Sequence, residues 1–318
     1  MKKIKKRTKI ILGVLSFILV TCVTLVVVVY KYMNRLNVVP LNVGTATTEK
    51  EIKEELNISE ETEKKSLEHN VENILILGVD HDENASDTIM VLSIDRGTNT
   101  LKLTSIMRDL YVDLPGDADK INYAYNLGGV EYTISTLNKL FNLDIKKYIK
   151  IDFNEFVNII DYFGGLELNI TEAERAIIND KLVIDGVYNE NKLTQSGNVL
   201  LNGHQALAYS RVRIIDSDFV RTQRMRNVMM GVFGKVKEAS ITEYPKIIAD
   251  LSSNVTTNIE TMDMLDMGKF MISVDSSNLK QFRIPVDGST VDSNTNGVYN
   301  LKWNVEENTS AFHNFIYD

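Results

Sequence analysis

Five arginines and two aspartates carry most of the chemistry that can be read from this chain. Lysines outnumber arginines more than twofold overall, yet residues 206–226, ALAYSRVRIIDSDFVRTQRMR, hold Arg211, Arg213, Arg221, Arg224 and Arg226 and no lysine. Arginine presents a planar, permanently charged fork that grips phosphate oxygens in pairs, whereas lysine is a flexible, strongly hydrated point charge. An extended backbone over 209–213 would put Arg211 and Arg213 on one face. Ser217 or Asp218 then caps a helix through about residue 237, on which Arg221, Arg224 and Met225 share a face while Val228, Val232 and Val236 continue toward the core. A strand-borne pair and a helix-borne pair converge on one anion, with Arg226 off that face and tolerant of lysine. The plainer reading, a basic surface helix with scattered ion pairs, stands level with it on this stretch alone.

The carboxylates lie upstream. Residues 73–79 and 88–94 are short apolar runs bounded by turn residues, and 101–107 alternates as a third strand after the turn chemistry of 95–99. Short connections make an antiparallel meander, in which the end of the first strand, the start of the second and the end of the third share one edge. Those positions hold Asp80, Asp87 and Arg108. Two carboxylates and an arginine, joined by the loop HDENAS, suit a hard cation together with a phosphate, because magnesium takes oxygen ligands and shares them with substrate phosphates. The bland reading is that both aspartates end strands by bonding to turn amides. Lys120 and Asn122, in a short helical turn ending at Gly128-Gly129, reach the same rim or act as caps. His81 has no second His or Cys nearby and makes a poor soft-metal site.

The elements that must position these groups read as interleaved strands and helices. Helical stretches are expected at 131–141, 154–163, 242–251, 261–273 and 306–317, and strands at 148–152, 166–170 and 279–286. Residues 172–200 read as surface loops with short strands, and 287–297 as a loop. This pattern predicts an α/β or α+β fold with one mixed, largely antiparallel sheet packed between helices. The methionines Met225, Met229, Met230, Met262, Met264, Met267 and Met271 read as adaptable core.

The formal charge of −8 conceals an asymmetry: residues 1–30 carry six basic groups and no acidic one, so the remainder stands at −14. An acidic body argues against nucleic acid, and any phosphate site must be built locally. Residues 1–9 form a basic tail, and the apolar run 10–30 is long enough to cross a bilayer as an uncleaved signal anchor. The basic flank puts the N-terminus in the cytoplasm and the rest outside. Residues 31–70 follow as a polar stalk, disordered or loosely helical, and the globular domain spans 71–318. Cys22, the only cysteine, lies in the apolar run, so no intrachain disulfide forms.

Taken together, these blocks resemble the LytR-CpsA-Psr family of bacterial cell-envelope phosphotransferases. The resemblance rests on residues 73–80 with Ser86-Asp87-Thr88, Ser105-Ile106-Met107-Arg108-Asp109, residues 120–125 with Gly128-Gly129, Asp152-Phe153 with Asp161 and Gly164-Gly165, residues 201–209, Arg211-Val212-Arg213, and residues 218–224. It implies a membrane-anchored enzyme that moves a glycopolymer from a polyprenyl pyrophosphate carrier to peptidoglycan, with a hydrophobic cavity for the lipid between sheet and helices. Carried over, Asp80 and Asp87 hold Mg²⁺ or Mn²⁺, Arg108, Arg211, Arg213 and Arg221 grip the pyrophosphate, and Asp218 orients them. The residues' own placement, apart from the resemblance, adds Lys120, Asn122 and Arg224 as substrate contacts. Three positions depart from the pattern: Ala85 replaces an arginine, Met225 a glutamine and Met107 a proline. A non-catalytic polyprenyl-pyrophosphate-binding envelope protein is therefore the second reading. A membrane-bound transcription regulator is the third, with only a short basic tail and no DNA-binding motif to support it.

Overall fold

The computed structural model describes residues 38–80, 84–116, 119–295 and 297–318. The apolar run 10–30 and His81 lie outside the described residues, and within them no helix is long and apolar enough to cross a membrane.

The organising layer is a six-stranded mixed sheet built from β1 (Val71–Asp80), β2 (Ala85–Asp95), β3 (Thr100–Ile106), β4 (Lys147–Asp152), β7 (Thr256–Thr257) and β8 (Leu279–Ile284), in the order β7-β4-β1-β2-β3-β8. β1, β2 and β3 form the expected antiparallel meander, and β4 joins β1, and β8 joins β3, in parallel. Four strands, β1, β3, β4 and β8, therefore end on one rim. Alternation along β1 splits its side chains cleanly. Leu75, Leu77 and Val79 pack on one face with Ile134, Leu137 and Phe141 of α3 (Tyr123–Phe141) and Phe312 of the closing helix Val305–Tyr317. Ile74 and Ile76 pack on the other with Met225 and Phe233 of the long helix Asp218–Glu238 and Met267 of the helix Thr261–Ser273. Met225, Met229, Met230, Met264 and Met271 join Met267 in or against that second layer, whereas Met262 is 58 % exposed.

Four regions depart from the sequence expectation. Residues 43–70 are not a loose stalk: α1 (Glu49–Glu55) and α2 (Glu60–His69) form there, and Leu56 and Ile58 enter the main core. Apolar residues at the helix junction dock the segment in spite of its charge. Residues 172–184 are a regular helix, which with α4 (Phe153–Tyr162) numbers as α5 (Glu172–Ile184); a capping box between Thr171 and Glu174 starts it. The expected loop 287–297 contains β9 (Thr290–Thr295), paired with β10 (Val298–Trp303) as a hairpin.

A smaller second core stacks α5 and α4 on the ribbon β5 (Leu166–Ile170) and β6 (Gly197–Leu201). After the short α6 (Tyr188–Asn191) come α7 (Gly203–Ser210) and α8 (Asp218–Glu238). Residues 209–213 are accordingly not extended: Tyr209 and Ser210 close α7, and Arg211 is its C-cap. Asn202 and Gln205 form a capping box that competes successfully with strand formation here.

Gly203 opens α7 where its backbone crosses α4: a Cβ there would lie 2.3 Å from the Val157 carbonyl oxygen. Gly203→Ala is expected to cost about 1–3 kcal/mol in denaturant unfolding. Gly234→Ala, inside α8 with open space at its Cβ, should instead stabilise by about 0.5–1 kcal/mol.

Candidate active site

The strand register itself brings the first two groups together. Ile89 of β2 faces Ile106 of β3, so two residues further toward the rim Arg108 faces Asp87. The β1–β2 register shifts between Gly78 and Val79, pairing them with Thr88 and Ser86, and leaves Asp87 as the extra residue of a bulge. A bulge re-aims its side chain. Asp87 here forms an ion pair with Arg108. The Arg108 guanidinium is pushed down by burial, but Asp87, Asp109 and Asp218 more than offset this and hold it above its ordinary value.

Around that pair is a pocket of about 170 Å³ lined by Asp80, Asp87, Arg108, Lys181, Arg211, Arg213 and Arg221. Five basic and two acidic side chains leave a formal surplus of three positive charges. Asp218 offsets part of it from the first turn of α8. It accepts from Arg221 Nε at 2.7 Å and Nη2 at 3.1 Å and lies 3.6 Å from Arg213 Nε. Burial raises the Asp218 carboxyl, but the Arg221 bonds and the charges of Arg221, Arg213 and Arg108 bring it below the usual range. Arg213 is lowered by burial and by the like charges of Arg108 and Arg221. Arg221, 2 % exposed, also donates to the Asp87 carbonyl at 3.4 Å. Arg211 lies over the Phe153 ring at 4.8 Å and 3.5 Å from Asp185. Such a cluster, beside the N-terminus of a 21-residue helix, is built for a multiply charged oxyanion.

Against this pocket lies a narrow apolar cavity of about 60 Å³ between the sheet and α4, α7 and α8, and Asp87 and Arg211 belong to the walls of both. Ile76, Met90, Phe156, Leu207, Val228 and Met229 supply much of its lining.

Three expected substrate contacts are placed elsewhere. Arg224 is buried away from the pocket, where Glu174 of α5 and Asp216 hold its guanidinium and it donates to the Val212 carbonyl at 3.1 Å. It staples the loop that carries Arg211 and Arg213 onto two helices. Helical phase sets it beside Arg221, but the acids of neighbouring segments turn its long side chain aside. Lys120 bonds Asp109 at 2.8 Å, one carboxylate removed from Arg108. Asn122 is buried at the start of α3, its backbone bridging Ser86 and Arg108. Arg226 is also unlike its expectation, being buried against Ser105 and Gln223. Conversely, Lys181 enters the pocket from α5, whose weak periodicity reads as loop; the Thr171-x-x-Glu174 capping box is the signal that could have found it.

The family model described as LytR_cpsA_psr matches residues 39–313. The chain belongs to the LytR_cpsA_psr family. It is 35 % identical over 224 residues to the polyisoprenyl-teichoic acid–peptidoglycan teichoic acid transferase TagU of Bacillus cereus, covering 68 % of this chain and 69 % of that one. Among solved structures, TagT bound to LI-WTA superposes with a TM-score of 0.64 at 25 % identity, over 77 % of this chain and 90 % of that one. TagT with bound octaprenyl pyrophosphate lipid shares the fold with a TM-score of 0.60 at 23 % identity, over 77 % of this chain and 90 % of that one. Against the LytR_cpsA_psr pattern, Met225 puts its sulfur 3.2 Å from Thr88 Oγ1 and 3.9 Å from Arg221, at the seam between apolar cavity and cationic pocket. Ala85 and Met107 are simply buried.

Arg224→Leu leaves Glu174 and Asp216 without their partner and is expected to destabilise the fold by roughly 3–5 kcal/mol, whereas Arg211→Lys should leave the unfolding midpoint nearly unchanged. Burial and the nearby Arg211 lower the Lys181 ammonium. A bound anion restores its ordinary value, so inorganic pyrophosphate should take up protons on binding, and affinity should fall as pH rises between the lowered value and the ordinary one of 10.5. Calorimetry in two buffers of different ionisation enthalpy measures the uptake, and Lys181→Met should abolish it.

Proposed function

We propose that this protein transfers an anionic glycopolymer from a polyprenyl pyrophosphate carrier to peptidoglycan, forming a phosphodiester and releasing polyprenyl phosphate. The observation that carries this reading is the shared wall of the two cavities: Asp87 and Arg211 stand where the apolar cavity meets the cationic pocket. Such a junction suits a molecule that is a lipid at one end and a pyrophosphate at the other. The names of the relatives, teichoic acid transferases and lipid-bound TagT, support the same substrate class.

In this reading an acceptor hydroxyl attacks the phosphorus that carries the glycan. The bond from that phosphorus to the bridging oxygen breaks, the hydroxyl proton is lost, and polyprenyl phosphate departs with the bridging oxygen. Phosphoryl transfer asks chiefly for positioning and charge neutralisation. Arg108 and Arg221 are fixed by Asp87 and Asp218 before substrate arrives, so little reorganisation is left for the reaction. Arg211 and Arg213, less enclosed, close on the pyrophosphate oxygens. Asp80 and Asp87 give two carboxylate donors on one wall, a set that fits Mg²⁺ or Mn²⁺ if phosphate oxygens and water complete the shell. Such an ion would neutralise charge on the phosphate oxygens. The apolar run 10–30 would hold the protein in the cytoplasmic membrane by a single pass, the N-terminus cytoplasmic and the domain outside.

A transfer assay with lipid-linked glycan and peptidoglycan, run with Mg²⁺ and with chelator, tests the proposal. Product should form only with the metal, and Arg211→Lys or Arg213→Lys, which keep the charge and lose the fork, should lower turnover by more than about tenfold. Lipid binding without product, under all metal conditions, would instead favour a non-catalytic carrier-binding protein. Protease added to intact protoplasts should digest the domain; complete protection would rule out the assigned orientation.

A further inference from the structure

A second basic cluster lies on the other side of β3. Arg226 is 5 % exposed, and its guanidinium donates only to neutral oxygens, Ser105 Oγ and Gln223 Oε1. Its Nε is buried without a hydrogen-bond partner, and among the described residues no carboxylate forms an ion pair with it. Burial, and after it the charge of Arg283, pushes Arg226 down to about 10. A buried cation is costly without a counterion, and a neighbouring like charge adds to the cost. Arg283 stands on the edge strand β8, in register with Ser105, its guanidinium 4.3 Å over the Phe219 ring. The acid it pairs with, Asp287, is 96 % exposed on its side chain and so is a weak, solvent-screened partner. Arg226, Arg283, Gln223 and Gln281 line a pocket of about 280 Å³ whose one carboxylate is Asp287. Gln223 already donates its amide to Asn227 and to the Gln281 side-chain carbonyl oxygen, at 2.9 and 3.2 Å; two guanidinium groups and the Gln281 amide nitrogen facing one space are a donor set for a tetrahedral oxyanion.

We infer that the pocket between α8 and β8 is a second oxyanion site, in which Arg226 and Arg283 receive a phosphate group. Ser105, which holds Arg226, lies on β3 three residues before Arg108, which follows the strand's end, so the two sites straddle the end of β3 on the order of 10 Å apart at about 3.3 Å per residue. A polymer with repeating phosphates spans both. Assigning the phosphate to such a polymer rests on the transfer proposed above; the oxyanion site itself does not.

The test is calorimetric titration of the full-length protein in detergent with inorganic phosphate and, separately, with a lipid-free glycerol phosphate oligomer. Two equivalents of inorganic phosphate should bind. Arg283→Gln and Arg226→Gln should each weaken one of them by at least about tenfold, while Arg211→Gln weakens the other. The oligomer should bind the parent more tightly than inorganic phosphate and lose that advantage in Arg283→Gln. If the oligomer shows no advantage but the second equivalent still depends on Arg283, the site stands and its ligand is free phosphate. One equivalent only, or two that are unaffected by both substitutions, overturns it. Should Arg226→Gln fail to fold, Arg283→Gln, on an edge strand, decides alone. Loss of transfer with the second equivalent intact would count against the transfer proposal and not against this site.

Discussion

Five cations crowd one small pocket, and their mutual repulsion is the constraint on which the rest of the molecule turns. Like charges at such separations lower one another's affinity for protons, as Arg213 and Lys181 show. The fold tolerates this because two carboxylates are fixed among them. Asp87 is delivered by a bulge opposite Arg108, and Asp218 by the first turn of α8 beside Arg221. These anions do not neutralise the pocket; they leave a surplus that an oxyanion would complete. Repulsion among the cations would thus become affinity for an entering phosphate group.

The second requirement is that Arg211 and Arg213 be held on a segment with no regular structure. Arg224 meets it from below, tying Val212 and Asp216 to α8 and reaching Glu174 on α5. Glu174 also caps its own helix through Thr171. One carboxylate therefore starts the helix that brings in Lys181 and anchors the arginine that fixes the loop. The arginines of this stretch thus divide the labour. Some face the pocket, one holds the loop, and one builds a separate site with Arg283.

Continuity between apolar cavity and cationic pocket follows from the sheet. Side chains alternate along β1 and β2, so the face beneath α8 is apolar up to Met90 and Thr88, and the bulge at Asp87 changes its character within one residue. Met225 sits at that boundary, its polarisable sulfur meeting both a hydroxyl and a guanidinium. A glutamine there would offer firmer hydrogen bonds to the polar side; methionine shifts the seam toward the lipid-like side.

The meander was legible in the amino-acid pattern, because strand periodicity and short turns leave few other pairings, and with it the placing of Asp80, Asp87 and Arg108 on one rim. That pattern also sufficed for α8 and the closing helix, whose apolar spacing is local, although Ser217 at the start of α8 makes no side-chain capping bond and the Asp218 carboxylate is taken by Arg221. Where the long side chains end depends on packing between distant segments. Arg221 and Arg224 share a helical face, yet one meets Asp218 and the other is drawn to Glu174 and Asp216, partners contributed by separate segments. The backbone at Arg211 was likewise settled by an upstream capping box and by the packing of α7 on α4 and α5, and not by the alternation of Arg211 and Arg213. Lys181 entered the site because a helix formed where hydrophobic periodicity was weak. A guanidinium reaches far beyond its own backbone, and its destination depends on charges that only folding brings within range.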